Sequence, residues 1–156
     1  MAFTAGWREF TGDFSIHAPI DTVFPLFSPL GERAWVPGWE PELLYPPGVS
    51  WEQGQIFRTE EERGDAIWIV TKLDRDRHEV EYHRVEPHRY VARVRVRCSR
   101  SDDGGTKVET AYAFLGLSDD GNDEIVAMTA DAYAEKMSRW RQWITAPGAG
   151  IVQMGG

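Results

Sequence analysis

Four side chains in this sequence have types suited to moving protons in a pocket: His78, Tyr82, Arg84 and Tyr112. Histidine titrates near neutral pH, and tyrosine offers both a donor and an acceptor on an apolar ring. His78 lies four residues before Tyr82, on the same side of a strand whose side chains alternate. Of the four histidines, it is the one with a case as a pocket acid or base. His17, His83 and His88 read as surface or strand-end residues, and no HExxH metal spacing occurs. Glu60, Glu61 and Glu62 run together beside Arg63. Paired-carboxylate chemistry needs two acids held on either side of a substrate, whereas strand neighbours point to opposite faces. That run therefore reads as a solvated edge, and Asp74, Arg75, Asp76 and Arg77 as a turn. Cys98 alternates with arginines and faces inward, which predicts a buried, inert thiol. No nucleophile elbow or phosphate-binding loop is present. Gly148 and Gly150 start a dinucleotide-like pattern, but Gln153 stands where its third glycine belongs.

Large rings dominate the candidate binding set. Tyr82, Val94, Tyr112 and Phe114 fall on predicted inward faces and would make an aromatic wall, which Trp68 could join. Met128, Tyr133 and Met137 would close the pocket from a helix, and Trp35 and Trp39 would guard its mouth. Small-molecule sites combine apolar walls with a few placed polar groups, and tyrosine supplies both. The same residues could instead fill a closed core. Arg93, Arg95 and Arg97 form a basic stripe on the outer face. Pairing Tyr82 with Ala92 would set Glu81 opposite Arg93 and Glu79 opposite Arg95, with Glu109 opposite Arg97. Opposite charges across strands make such a stripe a solvated face rather than a nucleic-acid surface.

The elements that must position these residues follow from periodicity. A strand is predicted over 7–17. Pro19 and Asp21 suit a helix start, and Pro25 forbids a long helix there. A break near Ser28-Pro29 and a second short turn from Glu32 to Trp35 follow. Strands are predicted at 43–45, 55–61, 65–73, 78–85, 89–99 and 107–115. Val126, Ala130, Tyr133, Met137, Trp140 and Ile144 mark the buried stripe of one long helix over 123–144. Lys136, Arg139 and Arg141 near its end complement the helix dipole. Hairpins with a terminal helix imply an α+β fold. One domain is expected over 1–146, with a loose tail over 147–156.

Three segments carry a resemblance: Phe14-Ser-Ile-His-Ala-Pro-Ile-Asp-Thr-Val-Phe24, Leu30-Gly-Glu-Arg-Ala-Trp-Val-Pro-Gly-Trp39 and Gly105-Thr-Lys-Val-Glu-Thr-Ala-Tyr112. With the order of elements, they resemble the START-like, or helix-grip, superfamily, over roughly residues 8–145. It includes birch-allergen, polyketide cyclase/dehydrase and Hsp90-activator types. The resemblance implies a curved antiparallel sheet of about seven strands, two short helices near the N-terminus, and a long C-terminal helix across the concave face. It also implies a cavity for an apolar or amphipathic small molecule. Three functions follow from it: binding of a hydrophobic or aromatic molecule, lipid or polyketide-like; a cyclase/dehydratase-type enzyme using His78, Tyr82, Arg84 or Tyr112; or a co-chaperone interaction domain. The iron-binding oxygenase branch is not matched, since no paired-histidine-and-carboxylate motif is present.

Composition narrows the partners. The chain has 156 residues, 17 Lys and Arg against 25 Asp and Glu, and a net charge of −8. Excess negative charge disfavours nucleic acid and anionic membranes. The longest apolar run, 66–70, is too short to span a bilayer. A single cysteine excludes an intramolecular disulfide and multi-cysteine metal centres. The expectation is a cytoplasmic domain with no cofactor and no metal.

Overall fold

The computed structural model describes residues 2–149. The order is β1 (Trp7–Ile16), α1 (Ile20–Val23), 3-10 turns at Phe24–Phe27 and Gly31–Ala34, β2 (Glu42–Tyr45), β3 (Ile56–Glu61), β4 (Gly64–Asp74), β5 (Glu79–Glu86), β6 (Tyr90–Arg100), β7 (Thr106–Gly116), α2 (Asp119–Ala127) and α3 (Ala130–Thr145). The strands form one antiparallel sheet in the order β1-β7-β6-β5-β4-β3-β2. This is the α+β helix-grip arrangement expected from the sequence. Alternation sorts the faces as predicted on β6, where Tyr90, Ala92, Val94, Val96 and Cys98 are buried. It also resolves β4, whose inward residues are Ala66, Trp68 and Val70. Among the described residues, no helix is long and apolar enough to cross a membrane.

Pro25 sits at the start of the first 3-10 turn, so the chain tightens there instead of continuing α1. Ser28 secures the bend. Its hydroxyl donates to the Pro25 carbonyl at 2.8 Å and accepts from the Gly31 amide at 2.9 Å.

Two sequence expectations are corrected. The C-terminal helix is not continuous over 123–144. Met128 is extended at φ −71°, ψ 141°, and separates α2 from α3. Each helix has its own N-cap: Ser118 accepts from the Gly121 amide, and Thr129 from the Ala132 amide. A capped N-terminus satisfies donors that a continuous helix would not expose. Val126 therefore leaves the stripe and is 74% exposed, whereas Tyr133, Met137, Trp140 and Ile144 are buried as expected. The β5–β6 register is the second correction. Tyr82 pairs with Val94, Glu81 with Arg95, and Glu79 with Arg97. The connecting loop holds Pro87, His88 and Arg89, with His88 at φ 66°. Relative to the expected pairing, the partners move by two residues, a shift that keeps every face. The charges still pair: Arg95 Nε lies 3.0 Å from Glu81 Oε2. Arg97 does align with Glu109. Of the expected tail, Ala149 is 6% exposed and its amide donates to Ala146. Residues 150–156 lie outside the described residues.

Candidate functional site

A cavity of about 850 Å³ opens between the sheet, the second 3-10 turn with its following loop, and α3. Phe57, Trp68, Tyr82 and Tyr112 from the sheet, Trp39 from the loop and Trp140 from α3 line it. Phe57 and Trp68 are stacked at 5.5 Å and 11°, and Trp39 and Tyr82 meet them edge-on. Their edge-to-face and offset contacts are the favoured geometries of aromatic pairs. The outer lining is charged: Glu40, Glu42, Glu60, Glu61 and Asp65 are exposed there. Arg58 bridges Glu42 at 2.7 Å and Asp65 at 3.7 Å.

Hydrogen bonds fix several of the rings. Trp39 Nε1 donates to the Pro29 carbonyl at 2.7 Å, holding the loop over the opening. Trp68 Nε1 donates to Thr59 Oγ1 at 3.0 Å. The Tyr82 hydroxyl donates to the Phe27 carbonyl at 2.6 Å and accepts from Trp51 Nε1 at 3.1 Å. Burial, chiefly, raises the Tyr82 phenol well above its ordinary range, and the charge of Glu32 adds to this.

Three polar groups on the wall contrast with these. Within the described residues, the Glu32 carboxyl, the Lys136 amine and the Tyr112 hydroxyl have no hydrogen-bond or ion-pair partner. Lys136 Nζ instead stands 4.1 Å from the Tyr112 ring centroid and 5.8 Å from that of Trp140. Burial, opposed weakly by the charge of Lys136, raises the Glu32 carboxyl well above the usual carboxylate range. Burial lowers the Lys136 amine to about 7, with Arg84 and Arg139 pushing the same way and Glu32 and Glu86 opposing. Burial raises the Tyr112 phenol as well. Removing a charged group from water disfavours its charged form, which accounts for all three directions.

Arg84 is the fourth polar element. It shares the Tyr82 face of β5, its guanidinium 5.3 Å from the Trp68 ring centroid and 5.8 Å from that of Tyr90. Its Nε lies 3.2 Å from Glu86 Oε2 but is not aligned to donate to it. Glu86 also takes Arg89, which Glu124 of α2 holds in turn.

Of the ten candidate binding residues, Trp39, Trp68, Tyr82, Val94 and Tyr112 line this cavity. The other five lie elsewhere. Trp35 is 5% exposed and packs against Phe27 and Trp140, donating to the Leu26 carbonyl. Phe114 packs against Phe10 and Tyr90. Met128 is in the α2–α3 link. Tyr133 and Met137 face β1 across a separate groove with Phe10, Gly12 and Phe14. Among the proton-transfer candidates, Arg84 joins Tyr82 and Tyr112 on the wall, whereas His78 does not. It sits in the turn before β5 at φ 53°, edge-on to Phe24, with Nε2 3.5 Å from Asp21 Oδ1. Sequence reasoning missed Glu32 and Lys136. Lys136 had a readable signal, since it lies three residues after Tyr133 and four before Trp140 on the buried face of α3. Glu32, in an irregular turn, had none. The described residues contain no group of three His, Cys, Asp or Glu side chains able to hold a metal ion.

Sheet, N-terminal helical segments and gripping helix together make the α+β helix-grip fold. Solved structures share this fold at very low sequence identity. Norcoclaurine synthase from Thalictrum flavum aligns with TM-score 0.67 and 9% identity, over 93% of this chain and 98% of that one. A hypothetical protein from Helicobacter pylori aligns with TM-score 0.72 and 8% identity, over 90% and 88%. A protein from Nitrosospira multiformis aligns with TM-score 0.63 and 11% identity, over 88% and 97%. No protein-family model and no curated protein matches the chain.

Proposed function

We propose that residues 1–146 act as one cytoplasmic binding domain for an aromatic or otherwise apolar small molecule, lipid or polyketide-like, that carries a polar end. The observation that carries this is the pairing of an aromatic wall with three polar groups that have no protein partner among the described residues, all in one cavity. These three groups face the open cavity, where each is free to hydrogen-bond to what enters it. A ligand whose polar end meets Glu32, Lys136 and Tyr112 takes those bonds while its rings cover Trp39, Phe57 and Trp68. Norcoclaurine synthase, with the same fold, has been crystallised with dopamine and hydroxybenzaldehyde. A ligand of that size suits the volume, since pockets for small molecules run from about 300 to 1,000 Å³. The lone buried Cys98 suits a reducing compartment.

Mass spectrometry of the purified protein, native and then after denaturation with organic extraction, tests the binding function. A stoichiometric small molecule released only on denaturation supports it. An empty protein that also takes up no aromatic probe refutes it. A second function, proton-transfer catalysis, is favoured by one observation: the acid and the amine in the cavity are shifted towards each other, the acid up and the amine down. Burial of an acid and an amine in one cavity is how sites prepare such groups for proton transfer.

A further inference from the structure

Lys136 is one of three lysines in the chain, with Lys72 and Lys107. The other two are about half exposed and lie within 4 Å of acids, Glu79 and Glu109 respectively. Lys136 alone projects into the cavity, without an ion pair in the described residues and over an aromatic ring. Charged groups face it from every side: Arg84 and Glu86 from β5, Glu32 from the 3-10 turn and Arg139 on its own helix. A desolvated amine near another cation is the arrangement that frees a lysine lone pair for attack on a carbonyl.

We propose that Lys136 captures an aromatic aldehyde in this cavity as an imine, with Glu32 supplying the proton that releases water. Because the step needs a ligand in the cavity, it rests on the function proposed above. The Nζ lone pair attacks the carbonyl carbon and the C–O π pair moves to oxygen. That oxygen takes one proton from nitrogen, giving a neutral carbinolamine. The Glu32 carboxyl then protonates the hydroxyl, the C–O bond breaks, and water leaves as the nitrogen lone pair forms the C=N bond. One amine, one aldehyde and one carboxylic acid become one iminium, one carboxylate and one water. The Glu32 carboxylate so formed balances the iminium charge. The wall of Trp39, Phe57 and Trp68 selects a flat aromatic group, and the small aldehyde carbon suits approach along the Tyr112 ring.

The full chain is incubated at pH 7 with 2-naphthaldehyde and sodium cyanoborohydride, then measured by intact mass and peptide mapping. Reduction fixes the imine as an amine, adding the aldehyde mass less one oxygen. Labelling at Lys136 is expected to exceed that at Lys72 and Lys107 by about tenfold or more. It should disappear in Lys136→Arg and Lys136→Met, with folding checked by circular dichroism, and fall in Glu32→Gln. Quenching of tryptophan fluorescence by 2-naphthalenemethanol, which has no carbonyl, reports occupancy separately. Quenching with labelling spread evenly over the lysines overturns the imine and leaves the binding function standing. Binding of 2-naphthoate without any adduct at Lys136 also overturns it, making the amine a charge anchor. Absence of both quenching and labelling overturns the two together.

Discussion

Tyr82 and Tyr112 line the same cavity and carry the same hydroxyl, yet replacing each by phenylalanine should have opposite effects. Tyr82 is 4% exposed, and its hydroxyl joins β5 to the 3-10 turn through Phe27 and to the β2–β3 connection through Trp51. Tyr82→Phe leaves the carbonyl of fully buried Phe27 without its side-chain donor and frees a half-buried indole N–H. A buried acceptor left bare costs about 1–3 kcal/mol, and the wetter donor adds less. The expected loss is about 2–3 kcal/mol. With a urea slope of about 2 kcal/mol per M, the unfolding midpoint should fall by about 1–1.5 M. The Tyr112 hydroxyl has no such partner among the described residues, so Tyr112→Phe should change stability by less than about 0.5 kcal/mol. It should instead weaken a polar aromatic probe such as 2-naphthol by about two- to tenfold, one hydrogen bond's worth. Paired urea titrations and fluorescence titrations measure both. Equal stability losses in the two variants, or a Tyr82→Phe loss under about 0.5 kcal/mol, would refute the division into a structural and a ligand-facing hydroxyl.

Three further outcomes are expected. A Cβ added at Gly121 would stand 1.6 Å from the Arg89 carbonyl oxygen, so Gly121→Ala should destabilise by about 2 kcal/mol or more through forced separation of α2 from the β5–β6 loop, seen as a lower Tm. Glu124 accepts from Arg89 and Arg63, and the Arg89 hydrogen bonds, first among the causes, lower its pKa. Its stabilisation is therefore present above the ordinary carboxylate range and lost as pH falls through the lowered value. Glu124→Gln should cost about 1 kcal/mol at pH 7, and wild type and variant should converge in urea titrations as pH falls below the lowered Glu124 value. For Lys136 the native amine is lowered to about 7 and the unfolded one titrates near 10.4. Between those values the unfolded chain binds more protons, so the penalty is full below pH 7 and relieved as pH rises. Lys136→Met should thus stabilise most at pH 6 and least near pH 10 in the same assay.

Strand periodicity made the sheet readable because β1 and β3 to β7 each bury one face, and a two-residue slip at the Pro87 loop leaves the faces unchanged. The break at Met128 was less visible, since the apolar stripe runs through it. What interrupts the helix is the Thr129 cap, a local hydrogen bond that hydrophobic spacing does not report. The site was half legible for the same reason. Tyr82, Arg84, Val94 and Tyr112 follow from parity on β5 to β7, whereas the run 66–70 is apolar on both faces and left the side of Trp68 open. Trp35 and Trp39 share one segment and one residue type, yet one packs under Trp140 and the other covers the opening. Their separation depends on the 3-10 turn, whose direction is set by Pro25 and Ser28 rather than by any repeating pattern.

The half-buried lysine argues for function through the cost of holding its amine in the cavity. Its neighbours on the inner face of α3 are Tyr133, Met137 and Trp140, and a methionine at 136 would satisfy the same helix propensity. An amine there must be desolvated beside Arg84, with no carboxylate close enough to pair with it among the described residues. A side chain that snorkelled to the surface would escape that penalty, but Nζ is held over the Tyr112 ring instead. The outward acids of this acidic chain do not compensate, since Glu40, Glu60 and Glu61 are solvated at the opening. Stability alone would remove the amine, so its placement in an aromatic cavity opposite an unpaired carboxyl is best accounted for by what enters that cavity.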